Sequence, residues 1–94
     1  MPYQLLYSEP ALDDLRQLRA VDRAGVLDGI ERCLGHTPTE PSRATVKQLR
    51  QPAPSEYRLR VGEFRVFYNV RGDRVLILRI IGKAQAEEYL REAP

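Results

Sequence analysis

From Tyr57 to Val70 apolar and polar side chains alternate with a period of two. Tyr57, Leu59 and Val61 alternate with Arg58 and Arg60. After Gly62-Glu63, the residues Phe64, Val66, Tyr68 and Val70 alternate with Arg65, Phe67 and Asn69. Such a period sends successive side chains to opposite faces of a strand. A third run, Val75 to Ile81, is aliphatic apart from Arg79, as expected of a strand covered on both faces. The pattern predicts a three-strand meander, with Gly62-Glu63 and Arg71-Gly72-Asp73 as its turns. Alternation then gathers Arg58, Arg60 and Arg65 on one partly open face, while the apolar set packs inward.

Upstream the period changes. Tyr3 to Tyr7 (YQLLY) reads as a short first strand. Ser8 suits a helix N-cap, Glu9 the positive end of the helix dipole, and Pro10 a first turn. Leu12, Leu15 and Leu18 then carry an amphipathic helix to about Leu18 or Arg19. Asp22 is expected to cap a second helix whose Val26, Leu27, Ile30, Cys33 and Leu34 share one face, with Gly35 to stop it. So short a connection makes the two helices an antiparallel hairpin, which needs a sheet to bury its apolar stripe. The segment from His36 to Ser55 carries four prolines and reads as a long loop, with at most a brief strand or turn around Val46 to Leu49. The tail after Gly82 (KAQAEEYLREAP) favours a final helix ending near Arg91. The expected fold is therefore one α+β domain over residues 1–94, in the order β-α-α-β-β-β-α. Its sheet is mainly antiparallel, with the helical hairpin packed on one face.

Ninety-four residues leave no room for two independent cores. No apolar run approaches the roughly 20 residues that span a bilayer, and MPYQLLYSEP lacks the features of a signal peptide. With the single Cys33, this leads to the expectation of a cytoplasmic protein with no membrane partner. Charge changes the picture more. Net charge is only +2, yet residues 43–83 hold ten Lys or Arg against three Asp or Glu, and the flanking stretches are acidic. Such asymmetry directs the sheet region toward a polyanion or an acidic partner.

Several chemistries are excluded. One His and one Cys cannot build a His/Cys metal cluster, so no metal is expected. The six glycines fall at scattered positions without a phosphate-loop pattern, no Ser-His-Asp arrangement is suggested, and no cofactor is expected. His36, beside Gly35, suits a helix end or a loop, and Cys33 lies on the apolar helix face as an inert thiol.

The chain resembles the RelE/ParE superfamily of toxins from bacterial type II toxin–antitoxin systems. The resemblance spans the strand, the helical hairpin, YRLRVGEFRVFYNV (Tyr57 to Val70), VLILRIIG and the tail with Tyr89. Its specific part is YRLRVGxFRVxY, Tyr57 to Tyr68. Toxins of the RelE branch cleave mRNA in the ribosomal A site without a metal, through attack of a ribose 2′-OH on the neighbouring phosphate. The resemblance implies that Arg58 and Arg60, matching two sheet lysines, and Arg65 hold and stabilise that phosphate. Lys83 and Tyr89 would transfer protons or stack on a base. Arg79, Lys47 and Arg50 would extend the nucleic-acid surface, although Arg79 could instead pair with an acidic residue at the sheet's edge.

The match departs from RelE where Ala84 stands at an expected basic position, followed by Ala86. Arginine also replaces lysine at positions 58 and 60, and guanidinium is a clamp for phosphate rather than a proton acceptor. Tyr89 would need a strongly lowered pKa to act as one, and Lys83 a moderately lowered one. Three functions therefore stay open: a ribosome-dependent mRNA endoribonuclease, a ParE-like inhibitor that binds DNA gyrase without cutting RNA, and a degenerate toxin. All three imply a cognate antitoxin as partner.

Overall fold

The computed structural model describes residues 2–42 and 45–92. The elements run β1 (Gln4–Tyr7), α1 (Glu9–Gln17), α2 (Ala20–Leu34), β2 (Val46–Gln48), β3 (Tyr57–Val61), β4 (Phe64–Arg71), β5 (Arg74–Gly82) and α3 (Lys83–Arg91). They form a five-stranded sheet in the order β1-β5-β4-β3-β2. Strand β1 pairs with β5 in parallel, and the other pairings are antiparallel. The α+β class and the helical hairpin are as the sequence predicts; the order gains one strand. Strand β2 is three residues long, too short to declare a period, and exists because it pairs with β3. No helix of the described residues is long and apolar enough to cross a membrane.

Local signals set most boundaries. The Ser8 hydroxyl accepts from Ala11 N–H at 3.2 Å, capping α1, and donates to Leu78 O at 2.9 Å. Gly35 is the C-cap of α2. That helix starts at Ala20 with Arg19 at the N-cap, so Asp22 sits in the first turn rather than at the cap. There its carboxylate still opposes the positive end of the dipole. Arg23 replaces a local cap for the neighbouring helix: it donates to Leu15 O and Leu18 O at the end of α1, both at 2.8 Å. Two-residue turns join the meander, with positive φ at Gly62 and Gly72.

The sheet has two covered faces. On one, α1 and α2 seal a core of Leu15, Val26, Ile30, Leu34, Leu59, Val66, Tyr68, Val75, Ile77 and Ile80. On the other, α3 lays Ala86 and Tyr89 over Phe67 and Ile81. A bulge between β4 and β5 makes this division possible. Phe67 lies opposite Arg79 but Tyr68 lies opposite Ile77, which leaves Leu78 as an extra residue. The slip resets the alternation, so Ile77 and Ile80 both face the hairpin while Arg79 and Ile81 face α3. The arginine-bearing face is thus more covered than its alternation suggests, because the tail helix turns back across it.

Candidate functional site

Register assembles the cationic face. Lys47 lies opposite Arg58 on the β2–β3 pair, Arg58 opposite Phe67, and Arg60 opposite Arg65 on the β3–β4 pair. Opposed residues on one sheet face stand about 4.5–5.5 Å apart at Cβ, and like charges there are destabilising. This face therefore carries two like-charge cross-strand pairs, Lys47–Arg58 and Arg60–Arg65, that do nothing for the stability of the fold.

Each side chain is held differently. Arg65 is buried, 7% exposed, and its Nη1 donates to Gly62 O and Phe64 O, both at 3.0 Å. Its head is thereby pinned beneath the β3–β4 turn. Arg58 is half-buried, and its Nε is buried with no hydrogen-bond partner in the protein. Burial, then the neighbouring charges of Arg65 and Arg60, pull the Arg58 guanidinium below its usual value. A negative charge delivered beside it would relieve each of these penalties. Arg60 is exposed.

The start of α3 closes the site. Lys83 N–H donates to Glu63 O at 2.9 Å, tying the helix to the β3–β4 turn, and Gln85 Oε1 accepts from Gly82 N–H at 3.3 Å. Between α3 and the sheet lies a cleft of about 200 Å³. Its polar lining is Lys47, Arg58, Arg65, Lys83 and Glu87, with Leu49, Ala86 and Leu90 as apolar wall. Four of the cations expected from the sequence converge here. Arg50 is exposed and does not line the cleft.

Tyr89 and Arg79 lie on the opposite flank of α3. Together with Ile81, Gln85, Glu88 and Glu92 they line a separate, shallower hollow. The Tyr89 ring meets Phe67 edge-on, centroids 4.9 Å apart, and the Arg79 guanidinium lies 5.5 Å from its centre. Of the two roles open to Arg79, pairing with an acid is the one seen. Its Nε and Nη2 donate to the Asp14 carboxylate of α1 at 2.7 and 3.1 Å. Asp14 also accepts from Ile80 N–H at 2.9 Å. Strand β1 ends opposite Ile77, so this carboxylate caps the edge of β5 that β1 leaves open. Burial pushes the Tyr89 hydroxyl above its usual value, Arg79 opposes and Asp14 adds to the rise. That is the wrong direction for a proton acceptor. Glu87, which the sequence reading passed over, does enter the cleft. The signal for it was its spacing, since residues 83 and 87 share one helix flank.

The sequence model described as the ParE toxin of the type II toxin–antitoxin system, parDE, matches residues 5–87. The chain belongs to that family. The toxin is also similar to solved RelE structures. In a RelBE toxin–antitoxin complex from Mycobacterium tuberculosis the identity is 29%, over 89% of this chain and 94% of that one, with a TM-score of 0.68. A mutant of Escherichia coli RelE in the free state gives 25% identity, 99% and 95% coverage, and a TM-score of 0.70. An archaeal RelE–RelB complex from Pyrococcus horikoshii has the same fold at 22% identity, covering 90% and 99%, with a TM-score of 0.71. No curated protein matched the toxin at a significant level.

Proposed function

We propose that the toxin is a metal-independent endoribonuclease that cleaves mRNA on the ribosome. The observation that carries this reading is the convergence of Lys47, Arg58, Arg65 and Lys83 on one cleft. The sheet sustains opposed like charges there, and a phosphodiester would compensate them. In such a site Arg58 and Arg65 clamp the phosphate and stabilise the charge that develops on the phosphorane. Lys83, at the mouth of α3, supplies a donor for the departing 5′-oxygen. Arg60, exposed beside Arg65, guides the strand as it enters.

A second reading, a ParE-like inhibitor that binds DNA gyrase, is favoured by one observation. Tyr89, the expected proton-transfer residue, is held on the far flank of α3 with its hydroxyl pushed upward. A cationic surface without that residue suits binding as well as cutting. Under either reading the partner in the cell is a cognate antitoxin, as in the RelB–RelE complexes of similar fold. An acidic segment of it would neutralise the same cleft.

The deciding experiment is induction of the toxin alone in growing bacteria, with mRNA 5′ ends mapped beside an Arg65→Ala control. New ends within translated codons, reduced on the order of 10²-fold in the control, are the expected result. Arrest without new ends, accompanied by blocked supercoiling, would establish the gyrase reading instead. Normal growth with soluble toxin present would mark it as degenerate.

A further inference from the structure

We infer that Glu87 of α3 is the proton acceptor for the attacking 2′-hydroxyl, which completes with Lys83 an acid–base pair spaced one helical turn apart. The inference rests on the ribonuclease reading and assigns the role that reading leaves unfilled. Cleavage by 2′-oxygen attack needs a group that accepts a proton at neutral pH, within reach of the clamped phosphate. The cleft offers few candidates. Arginine has donors only and stays charged, and an ammonium is likewise a donor. Leu49, Ala86 and Leu90 carry no ionisable group. Tyr89 opens onto the other hollow and binds its proton more tightly than usual. Glu87 remains, the one carboxylate lining the cleft with Lys47, Arg58, Arg65 and Lys83. It is exposed, and among the described residues no ion pair engages it.

Placement supports the role. Residues 83 and 87 of one helix stand about 5–6 Å apart at Cβ, so a phosphate between them and the sheet meets both. The four cations outnumber the single carboxylate, so a bound phosphodiester still gains net attraction. In the reaction the 2′-oxygen forms a bond to phosphorus as Glu87 takes its proton. The bond from phosphorus to the 5′-oxygen breaks, and the leaving oxygen takes a proton from Lys83. The products are a 2′,3′-cyclic phosphate and a 5′-hydroxyl. Transfer of the proton from Glu87 back to Lys83, directly or through water, resets the site without any further reactant.

The test uses purified toxin, ribosomes programmed with a defined mRNA, and the variant Glu87→Gln. The variant should slow single-turnover cleavage at least about 100-fold, the low end of what general acid–base catalysis contributes. The rising acidic limb of the pH–rate profile should disappear. Binding to ribosomes carrying a 2′-deoxy nucleotide at the cleaved position should stay equal or tighten, because a negative charge has gone. Added formate should restore part of the rate to Glu87→Ala. Wild-type rate in Glu87→Gln, or a slowed rate with the acidic limb intact, would overturn the assignment while leaving the ribonuclease reading in place. Wild-type toxin that cleaves no translated mRNA would remove both, and that outcome is distinguishable because the unmutated protein is already silent.

Discussion

Helix α2 contains two glycines in unlike surroundings, and their replacement by alanine should have unequal effects, stabilising at Gly25 and neutral to destabilising at Gly29. A Cβ built at Gly25 meets nothing within 4 Å. Gly25→Ala should therefore gain the helix-propensity difference, about 1 kcal/mol, raising Tm by roughly 4–8 °C in a domain of this size. A Cβ at Gly29 would stand 2.9 Å from Val61 Cγ2 and 3.0 Å from Cγ1 on β3. Carbon atoms pack best at about 3.5–4.0 Å, so helix and strand must part or Val61 must leave its rotamer. Valine is stiff at χ1, and both its methyl groups are involved. Such overpacking costs about 1–3 kcal/mol, which cancels or exceeds the same propensity gain. Urea denaturation of the two variants, compared at constant m-value, should place Gly29→Ala about 1–3 kcal/mol below Gly25→Ala. Combining Gly29→Ala with Val61→Ala should recover most of that gap. Equal stabilities within about 0.3 kcal/mol, the usual scatter of additivity, would show that α2 does not ride on Val61 as described.

Three further outcomes follow from the same contacts. Asp14→Ala strips Arg79 of its acceptor and bares Ile80 N–H, and should cost about 2–3 kcal/mol, less than a fully buried pair because Arg79 is one-third exposed. A loss below about 1 kcal/mol in denaturant titration would contradict the capping role. Tyr68→Phe removes the 2.6 Å bond to Pro38 O inside the core and should cost about 1–2 kcal/mol; an unchanged midpoint would mean that the carbonyl finds another donor. Burial raises the hydroxyls of Tyr7, Tyr68 and Tyr89, so the folded state keeps protons that the unfolded chain releases near pH 10. The stabilising contribution is thus complete below that pH and falls above it, most steeply for the fully buried Tyr68, by up to about 1.4 kcal/mol per pH unit, and less for the half-buried Tyr7 and Tyr89. Tyr68→Phe should flatten that alkaline decline, measurable as the slope of stability between pH 9.5 and 11.

Much of the fold was legible because its signals are local. Period-two alternation placed β3 and β4, Ser8 and Gly35 marked the ends of the helical hairpin, and the compact tail gave α3. What escaped was relational. Strand β2, expected only as a brief strand or turn around Val46 to Leu49, has three residues and no pattern of its own, and is defined by its partner. Asp22 looked like a cap because capping residues are recognised by type, yet the helix begins two residues earlier, at Ala20, with Arg19 at the N-cap and no side-chain cap bond. The bulge at Leu78 is equally silent in an unbroken aliphatic run, although it decides which side of the sheet Arg79 takes.

The candidate site divides along the same line. Sequence alone determined that Arg58, Arg60 and Arg65 share a face, because alternation is a property of the strand itself. It also determined the basic middle block and the family resemblance that the match over residues 5–87 bears out. Only the tertiary structure decided what that face meets. Lys47 arrives through cross-strand register, Arg79 is drawn 65 positions back along the chain to Asp14, and α3 falls across the sheet so that Lys83 and Glu87 flank the arginines while Tyr89 turns away. The reason is physical: a residue's face follows from its own backbone, whereas its neighbours across a cleft follow from the packing of elements distant in sequence. No short-range pattern encodes that packing.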